Sequence, residues 1–201
     1  MTDSSHDKAK WNSRYSEADR IGTADAGSLQ AAQVLVENAH LLPHQGKALD
    51  LACGLGVNAI FLASHGLDTS AWDISDVAIE KLQKQIDAQS LNIRTELRDV
   101  VERPPSVGAF DVIVVVRFLE RRIVSSLVEA LKPGGLIFYQ TFTIDKSPDI
   151  GPTNPDYLLQ ANELLQLFHA LRIRVYREEG MEGDLEKGFR NEVMLVAQKV
   201  I

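Results

Sequence analysis

Short apolar runs alternate with helical patterns through the middle of the chain. The runs predict strands at residues 47–52, 68–72, 93–97, 110–116 and 135–142. Between them, apolar residues recur at helical spacing and predict helices at 57–65, 76–88 and 123–131. The run at 110–116 is apolar without alternation, as in a strand that is buried on both faces. This order of elements predicts a three-layer α/β fold with right-handed crossovers and a mostly parallel sheet.

The N-terminal part of the chain has weaker patterns. Residues 1–10 are polar and predict a flexible tail. Trp11 and Tyr15 are four positions apart, so they share one face of a short helix or hook, with Arg14 beside them. A second helix is predicted at 28–38. Its inward-facing positions are expected to be Leu29, Ala32, Val36 and Ala39.

The C-terminal third changes character. Residues 144–157 are rich in proline and predict an ordered loop, and a helix is predicted at 160–171. Two further apolar runs, at 172–177 and 192–198, are joined by a connection that is rich in glycine and glutamate. These two runs predict an antiparallel hairpin at the edge of the sheet, which then has seven strands.

Composition narrows the classes of function. The 201 residues suit one domain, and 45% hydrophobic with 24% charged residues is ordinary globular composition. A net charge of −7 argues against a surface that follows a phosphate backbone, so we expect no nucleic-acid partner. The single cysteine excludes an internal disulfide. No apolar run reaches the length of a membrane span, and residues 1–10 lack the apolar core of a secretion signal. We expect a cytoplasmic protein without a membrane partner.

A glycine-rich turn follows the first predicted strand and runs directly into a helix. Backbone N–H groups at such a turn can approach a ligand closely. Residues 54–59 (GLGVNA) satisfy the dinucleotide pattern G-x-G-x-x-G/A, and Asp73 follows where a ribose-binding acid is expected. A nicotinamide-dependent oxidoreductase is therefore one reading of the motif.

Asp50 at the end of the first strand argues against that reading. A pyrophosphate over the turn would lie roughly 5 Å from this carboxylate, at a cost of about 3 kcal/mol per charge at an effective dielectric of ~20. The same carboxylate favours a ligand that is cationic there. S-adenosylmethionine (SAM) carries a sulfonium and an ammonium group and has no phosphate, so it suits the acidic turn.

Three acids follow three successive strands of this predicted sheet. The carboxyl ends of parallel strands meet at one edge, where such folds bind ligands. Asp73 can accept hydrogen bonds from both ribose hydroxyls, and Asp99 can accept one from an adenine amino group. Together with Asp50 they predict a crevice for SAM rather than three solvated loop residues or helix caps.

These motifs resemble those of the class I SAM-dependent methyltransferases, in the tellurite-resistance (TehB-like) and thiopurine-type branch. The resemblance covers residues 47–199. It rests on ALDLACGLG at 48–56, NA at 58–59, TSAWD at 69–73, LKPGG at 131–135, EL at 163–164 and MLVAQK at 194–199. It implies a seven-stranded Rossmann-like sheet with a final antiparallel hairpin, which agrees with the strand pattern.

The resemblance also implies a division of the chain. Residues 1–10 would be a tail and 11–201 a single methyltransferase domain, with cap helices at 11–46 and the cofactor-binding core at 47–142. Residues 143–201 would form a lid loop, a helix and the hairpin. The expected SAM-binding residues are Asp50, Ala52, Cys53, Gly54, Gly56, Asn58, Asp73, Ile74, Asp99, Val100 and Arg117.

Two positions depart from the family pattern. Ala52 replaces the glycine that is usual at this turn, and it is small enough to keep the space open. Val57 stands where this branch often has arginine, which puts one contact to the cofactor carboxylate in doubt. Cys53 is expected to be a small buried residue, because no histidine is close in sequence to activate its thiol.

The sequence defines the residues that would bind the methyl acceptor less clearly. Arg117 directly follows the buried fourth strand and could face an anionic acceptor, bind the cofactor carboxylate or pair with Glu120. The loop at 151–155 is either a lid or a plain connection. The resemblance implies an N-terminal segment that closes over the cofactor, whereas the aromatic pair by itself indicates only packing. The expected substrate-binding residues are Trp11, Arg14, Tyr15, Phe118, Phe142 and Asn154.

The leading hypothesis is a methyltransferase acting on a small molecule. No general base is evident, which favours a soft or already ionised acceptor such as a thiolate or a selenium or tellurium species. The histidines lack metal-ligand spacing, so no metal site is expected. Two alternatives stay open, a SAM-binding regulatory protein without turnover and an NAD-dependent oxidoreductase. Either a monomer or a homodimer is compatible with the sequence.

Overall fold

The computed structural model describes residues 4–21 and 30–200. Its strands are β1 (Lys47–Leu51), β2 (Asp68–Asp73), β3 (Ile93–Leu97), β4 (Phe110–Val116), β5 (Leu131–Phe142), β6 (Arg172–Arg177) and β7 (Glu192–Gln198). Its helices are α1 (Ser4–Ile21), α2 (Gln33–Glu37), α3 (Val57–Ser64), α4 (Asp76–Gln89), α5 (Val124–Ala130) and α6 (Glu163–Leu167). No helix in the described part of the chain is long and apolar enough to span a membrane.

The strands form one sheet in the order β3-β2-β1-β4-β5-β7-β6. The first five strands are parallel to one another, whereas β7 is antiparallel to both β5 and β6. The predicted fold class is therefore confirmed, including the final antiparallel hairpin. The strand order changes direction between β1 and β4. In such a sheet the ligand-binding crevice lies at the carboxyl ends of these two strands.

The core follows from strands that are buried on both faces. Residues 112–115 of β4 are fully buried, because apolar helices cover either side of the sheet. One face packs with α5 and α6 around Ile113 and Val115, and the other with α2 and α3 around Val112 and Val114. α4 begins at Asp76 because the Ser75 hydroxyl accepts a hydrogen bond from the Ala78 N–H.

The N-terminal elements differ from their predicted extents. Residues 4–10 belong to α1, so the prediction of a tail is wrong for them. α2 is shorter than the predicted helix, and its buried residues are Val34 and Leu35, while Val36 is exposed. Leu29 and the predicted start of that helix at residue 28 lie outside the described residues. A distant side chain caps the first turn of α2, since Gln140 Oε1 accepts a hydrogen bond from the Val34 N–H at 2.8 Å.

The C-terminal helix is also shorter than predicted. α6 starts only after Asn162, which adopts φ +61°, and it ends before residue 168. The Gln160 N–H donates to Glu163 Oε2, so residues 160–162 form a turn instead of a first helical turn. Phe168 is fully buried beyond the helix end. The local pattern indicates where the apolar residues face, but this capping turn sets the helix start.

Candidate functional site

The glycine turn lies between β1 and α3, at the carboxyl edge of the sheet. Three of its residues adopt left-handed backbone conformations: Ala52 (φ +56°), Gly54 (φ +53°) and Gly56 (φ +76°). Ala52, the departure from the family pattern, therefore stands where glycine is ordinarily favoured, at a cost of about 1 kcal/mol. The Cys53 N–H donates to the Trp72 carbonyl at 2.9 Å, which ties the turn to β2.

Gly56 is required both by its backbone and by its neighbour. A Cβ there would lie 2.4 Å from Cδ1 of Leu82, which is fully buried in α4. We expect Gly56→Ala to lower the free energy of unfolding by about 2–4 kcal/mol, because overpacking adds to backbone strain. Gly108→Ala is the matched control, since Gly108 has φ +62° and open space around it. Urea denaturation measures both, and equal losses would contradict the packing argument.

Asp50 lies at the base of the turn and is fully buried. Its Oδ2 accepts a hydrogen bond from the Ala59 N–H at 3.0 Å, at the start of α3. Its Oδ1 is buried and has no hydrogen-bond partner among the described residues. Burial, with a smaller contribution from the nearby Asp73, raises the pKa of Asp50 to about 7, against the Ala59 hydrogen bond that lowers it. A buried carboxylate oxygen without a partner indicates a place for a donor or a cation.

Asp73 lies across the turn from Asp50, at the end of β2. Its Oδ2 accepts from the Gly54 N–H and its Oδ1 from the Ser75 N–H, both at 2.8 Å. Burial raises its pKa, while these backbone hydrogen bonds and one from Ile74 lower it. The two backbone donors fix the carboxylate against the turn, so its orientation is set before any ligand binds.

Cys53 and Asn58 hold the turn from within. The Cys53 thiol is buried, as predicted, and burial raises its pKa well above the usual range, so it is not an activated nucleophile. Asn58 lowers the pKa of Asp50, and the Asn58 Oδ1 accepts a hydrogen bond from the Ala32 N–H at 2.9 Å. Asn58 thus connects the buried acid to the segment that leads into α2.

Helix α1 lies over the turn and places Tyr15 against Gly54. A Cβ on Gly54 would lie 2.6 Å from the Tyr15 hydroxyl oxygen. Burial raises the pKa of Tyr15, and the nearby Asp73, Cys53 and Asp50 add to the shift. The structure therefore brings Tyr15 together with the residues expected around the cofactor, whereas the sequence analysis assigns it to the acceptor.

Polar contacts attach α1 to α4 and to the loop after β5. Ser75 Oγ donates to Asn12 Oδ1 at 2.7 Å, and Lys81 Nζ donates to the Tyr15 carbonyl at 2.5 Å. Lys8 pairs with Asp76 at 3.0 Å, and the Lys10 ammonium lies 5.0 Å from the Tyr157 ring centroid. Trp11 stacks on Tyr15, and the Arg14 guanidinium lies over the Trp11 ring. The two aromatic rings share one face of the helix, as predicted.

Asp99 and Val100 follow β3, farther along the same edge. Asp99 Oδ1 accepts from the Val101 N–H at 2.8 Å and from the Glu102 N–H at 3.3 Å, so the carboxylate caps its own loop. Val100 is buried and packs with the core on the α5 side. The three acids of the sequence analysis thus end neighbouring strands of the sheet, with Asp73 and Asp50 buried and Asp99 half-buried.

Arg117 follows β4 and adopts φ +52°, so the chain turns sharply there. Its Nε donates to Glu192 Oε1 at 2.6 Å, and Glu120 pairs with Arg122 instead. The alternative in which Arg117 pairs with Glu120 is therefore wrong. Glu192 and Gln140, which hydrogen-bonds it, were missed by the sequence analysis. The available signal was a glutamine inside the mainly apolar run at 136–142 and a glutamate directly before the apolar run at 193–197.

The remaining predicted acceptor residues do not form one cluster. The Phe118 carbonyl accepts from the Tyr139 hydroxyl at 2.7 Å, and its ring packs against the core. Phe142, at the end of β5, lies beside the Arg117 guanidinium. Asn154 is exposed and its Oδ1 accepts from the Asp156 N–H, so it caps a short turn in its own loop. Among the described residues, no three His, Cys, Asp or Glu side chains are grouped as metal ligands.

Comparisons with known proteins point to one family. A family model described as "Tellurite resistance protein TehB" matches residues 27–193. A probable SAM-dependent methyltransferase TehB from Haemophilus influenzae is 35% identical over 153 residues, which are 72% of this chain and 52% of that protein. A ubiquinone biosynthesis O-methyltransferase from Coxiella burnetii is 30% identical over 98 residues, covering 46% of this chain and 42% of the relative. The chain thus spans about half the length of these curated relatives.

Solved structures share the fold. The crystal structure of TehB from Haemophilus influenzae has a TM-score of 0.69 at 23% identity and covers 92% of this chain and 66% of that one. A SAM-dependent methyltransferase from Methanosarcina mazei has a TM-score of 0.67 at 18% identity, with coverages of 86% and 99%. At these identities the likeness concerns the arrangement of helices and strands, which agrees with the sheet described above.

Proposed function

Because the chain belongs to the TehB family, we propose that it is a SAM-dependent methyltransferase that acts on a small-molecule acceptor. The observation that carries the proposal is the pair of buried acids around the glycine turn, Asp50 and Asp73. Burying a carboxylate costs free energy unless the carboxylate is paired. A cationic ligand without a phosphate group is therefore the partner that suits these two acids.

The residues present fit this cofactor on two counts. The buried Asp50 Oδ1 has no described partner, and it can compensate a positive charge held above the turn. Gly54, with φ +53° and no side chain, lets another group come close to the turn. The Tyr15 hydroxyl is that group in this structure, so a ligand bound at the turn would take the place of that hydroxyl. Asp73 would accept hydrogen bonds from the ribose hydroxyls, and Asp99 one from the adenine amino group.

When bound, SAM supplies a methyl group on a sulfonium, and the acceptor's lone pair displaces the neutral thioether S-adenosylhomocysteine (SAH). The chain's own contribution is then to bind, align and exclude water. Alignment in a near-attack geometry is worth about 7–11 kcal/mol. α1 carries Tyr15 over the turn and would keep water from the cofactor. Positive charge disappears in this reaction, so a soft, already ionised acceptor needs no base.

Isothermal titration calorimetry of the whole protein tests the cofactor assignment. We expect SAH to bind in the micromolar range, and NADH to bind at least about a hundredfold more weakly because its pyrophosphate meets Asp50. Tight NADH binding without SAH binding would instead support the oxidoreductase reading and overturn the proposal.

A further inference from the structure

Arg117 has donors that the described structure does not use. Its side chain is 51% exposed, and only its Nε donates a hydrogen bond to a described residue. The two Nη groups, which present a planar fork, donate to none of the residues in the described ranges. By contrast, Arg121 forms a fork with Glu163, and Arg122 pairs with Glu120. Arg117 also holds a strained positive φ, which is common at ligand-binding positions.

A buried polar chain holds this arginine in place. Glu192 is 5% exposed and receives hydrogen bonds from Arg117 Nε and from Gln140 Nε2. Gln140 is buried as well, and its Oε1 accepts from the Val34 N–H at 2.8 Å. A charged group in the core is retained only with such partners. The chain of contacts ends at one exposed guanidinium, so its consequence is to fix where the Nη fork lies.

The direction of this support separates Arg117 from the cofactor turn. The sheet order places β7 two strands beyond β4, whereas the glycine turn follows β1 on the other side of β4. Neighbouring strands lie about 4.8 Å apart. Since Glu192 begins β7, the Arg117 side chain is held away from the glycine turn and towards β5 and β7.

An aromatic ring lies beside the guanidinium. The Arg117 Cζ is 5.5 Å from the centroid of Phe142. Gly151, with φ +73°, packs so closely on that ring that a Cβ would lie 2.6 Å from its edge carbons. The loop after β5 therefore supports the Phe142 ring. The Arg117 guanidinium, which can donate hydrogen bonds to an anion, lies next to this apolar ring.

We propose that Arg117 binds a carboxylate of the methyl acceptor through its Nη groups, so that the acceptor is a small organic acid whose apolar body lies against Phe142. Arginine matches a carboxylate because its fork can donate two parallel hydrogen bonds. Glu192 is a positioning residue, which acts by orienting Arg117. This inference rests on the proposed methyltransferase function but is tested separately from it.

The test uses benzoate and its neutral isostere benzamide as probes of the SAH-loaded protein, titrated by calorimetry. We expect benzoate to bind about tenfold more tightly than benzamide, and Arg117→Gln to remove that preference. Arg122→Gln is the matched control, because it removes a neighbouring exposed arginine that pairs with Glu120, and it should keep the preference. Glu192→Gln should reduce the preference about threefold, and it should have no effect when Arg117 is already glutamine.

The titrations also distinguish this inference from the cofactor assignment. SAH affinity should change less than about threefold in Arg117→Gln. A loss of SAH binding in that variant would make Arg117 a cofactor ligand and overturn the inference. Equal binding of the two probes, or no binding of either, would overturn it too, while SAH binding to the unmodified chain would still support the methyltransferase. Failure of SAH to bind the unmodified chain would overturn the proposed function itself.

Discussion

Asp73→Asn is expected to weaken SAH binding about a hundredfold. Both carboxylate oxygens of Asp73 accept from backbone N–H groups and would also receive the ribose hydroxyls. Asparagine has one acceptor oxygen, so its NH2 group must face either the Gly54 or the Ser75 N–H. Hydrogen bonds to a charged acceptor contribute about 1.5–3 kcal/mol each, and the loss of about 3 kcal/mol corresponds to this fold-change. Calorimetric titration with SAH measures it.

Asp68→Asn is the matched control for that variant. Asp68 begins the strand that Asp73 ends, and it pairs with Arg94 at the opposite edge of the sheet. We expect its SAH affinity to equal that of the unmodified chain. Circular dichroism confirms that both variants are folded before titration. Equal affinity for the two variants would show that Asp73 does not contact the cofactor.

The second large effect concerns the pH dependence of stability through Asp50. Its pKa rises to about 7 in the folded chain because burial penalises the charged form. The folded state therefore binds the proton more tightly than the unfolded state does. Stability from this group is fully present below the usual pKa of about 4 and is lost as the pH rises towards 7. At about 1.4 kcal/mol per pKa unit, the loss is roughly 4 kcal/mol above pH 7.

Asp50→Asn should remove this dependence. Asparagine keeps the shape and the acceptor for the Ala59 N–H but carries no charge. We expect the variant to be more stable than the unmodified chain at pH 8 by a few kcal/mol, and the difference to shrink towards pH 5. Urea denaturation without cofactor at both pH values measures it. A difference that is the same at pH 5 and pH 8 would contradict a raised Asp50 pKa.

SAM itself should act on the same group. A cation bound beside Asp50 Oδ1 favours the ionised carboxylate, so SAM should stabilise the chain more at pH 8 than at pH 6. In Asp50→Asn this difference should disappear. Thermal unfolding with and without SAM measures it, and a pH-independent stabilisation of the unmodified chain would separate Asp50 from the ligand's charge.

The sheet was predictable because its signals are local. β3, β4, β6 and β7 have the predicted bounds, since each is a short apolar or alternating run between turn residues. The signals for the glycine turn and for the acids of the crevice are also local, because each lies at or directly after the end of a strand. The resemblance to the TehB-like methyltransferases is confirmed by the family match.

What the sequence did not indicate depends on contacts between distant residues. α1 has no continuous apolar stripe, and polar contacts from Ser75 and Lys81 hold it in place. Arg117 and Glu192 are separated by 75 residues, so no pattern within a strand pairs them. From the sequence, Arg117 is placed with the cofactor residues while an anionic acceptor or Glu120 stays open as its partner. In the structure its side chain is held from the far side of β4. Pairings of this kind follow from strand order, which the local pattern does not encode.

Transfer of a labelled methyl group from SAM to an acceptor is the activity that the buried acids and the glycine turn are proposed to support. The unmodified chain is incubated with SAM carrying a CD3 group and a panel of small acceptors: thiols, carboxylate-bearing thiols, selenite, tellurite, phenols and amines. We expect mass spectrometry to find one acceptor carrying the CD3 group, together with an equal amount of SAH, and far less of both products from Asp73→Asn at a SAM concentration that does not saturate that variant. Tight SAM binding with no labelled product from any acceptor would overturn the methyltransferase assignment and indicate a SAM-binding protein without turnover.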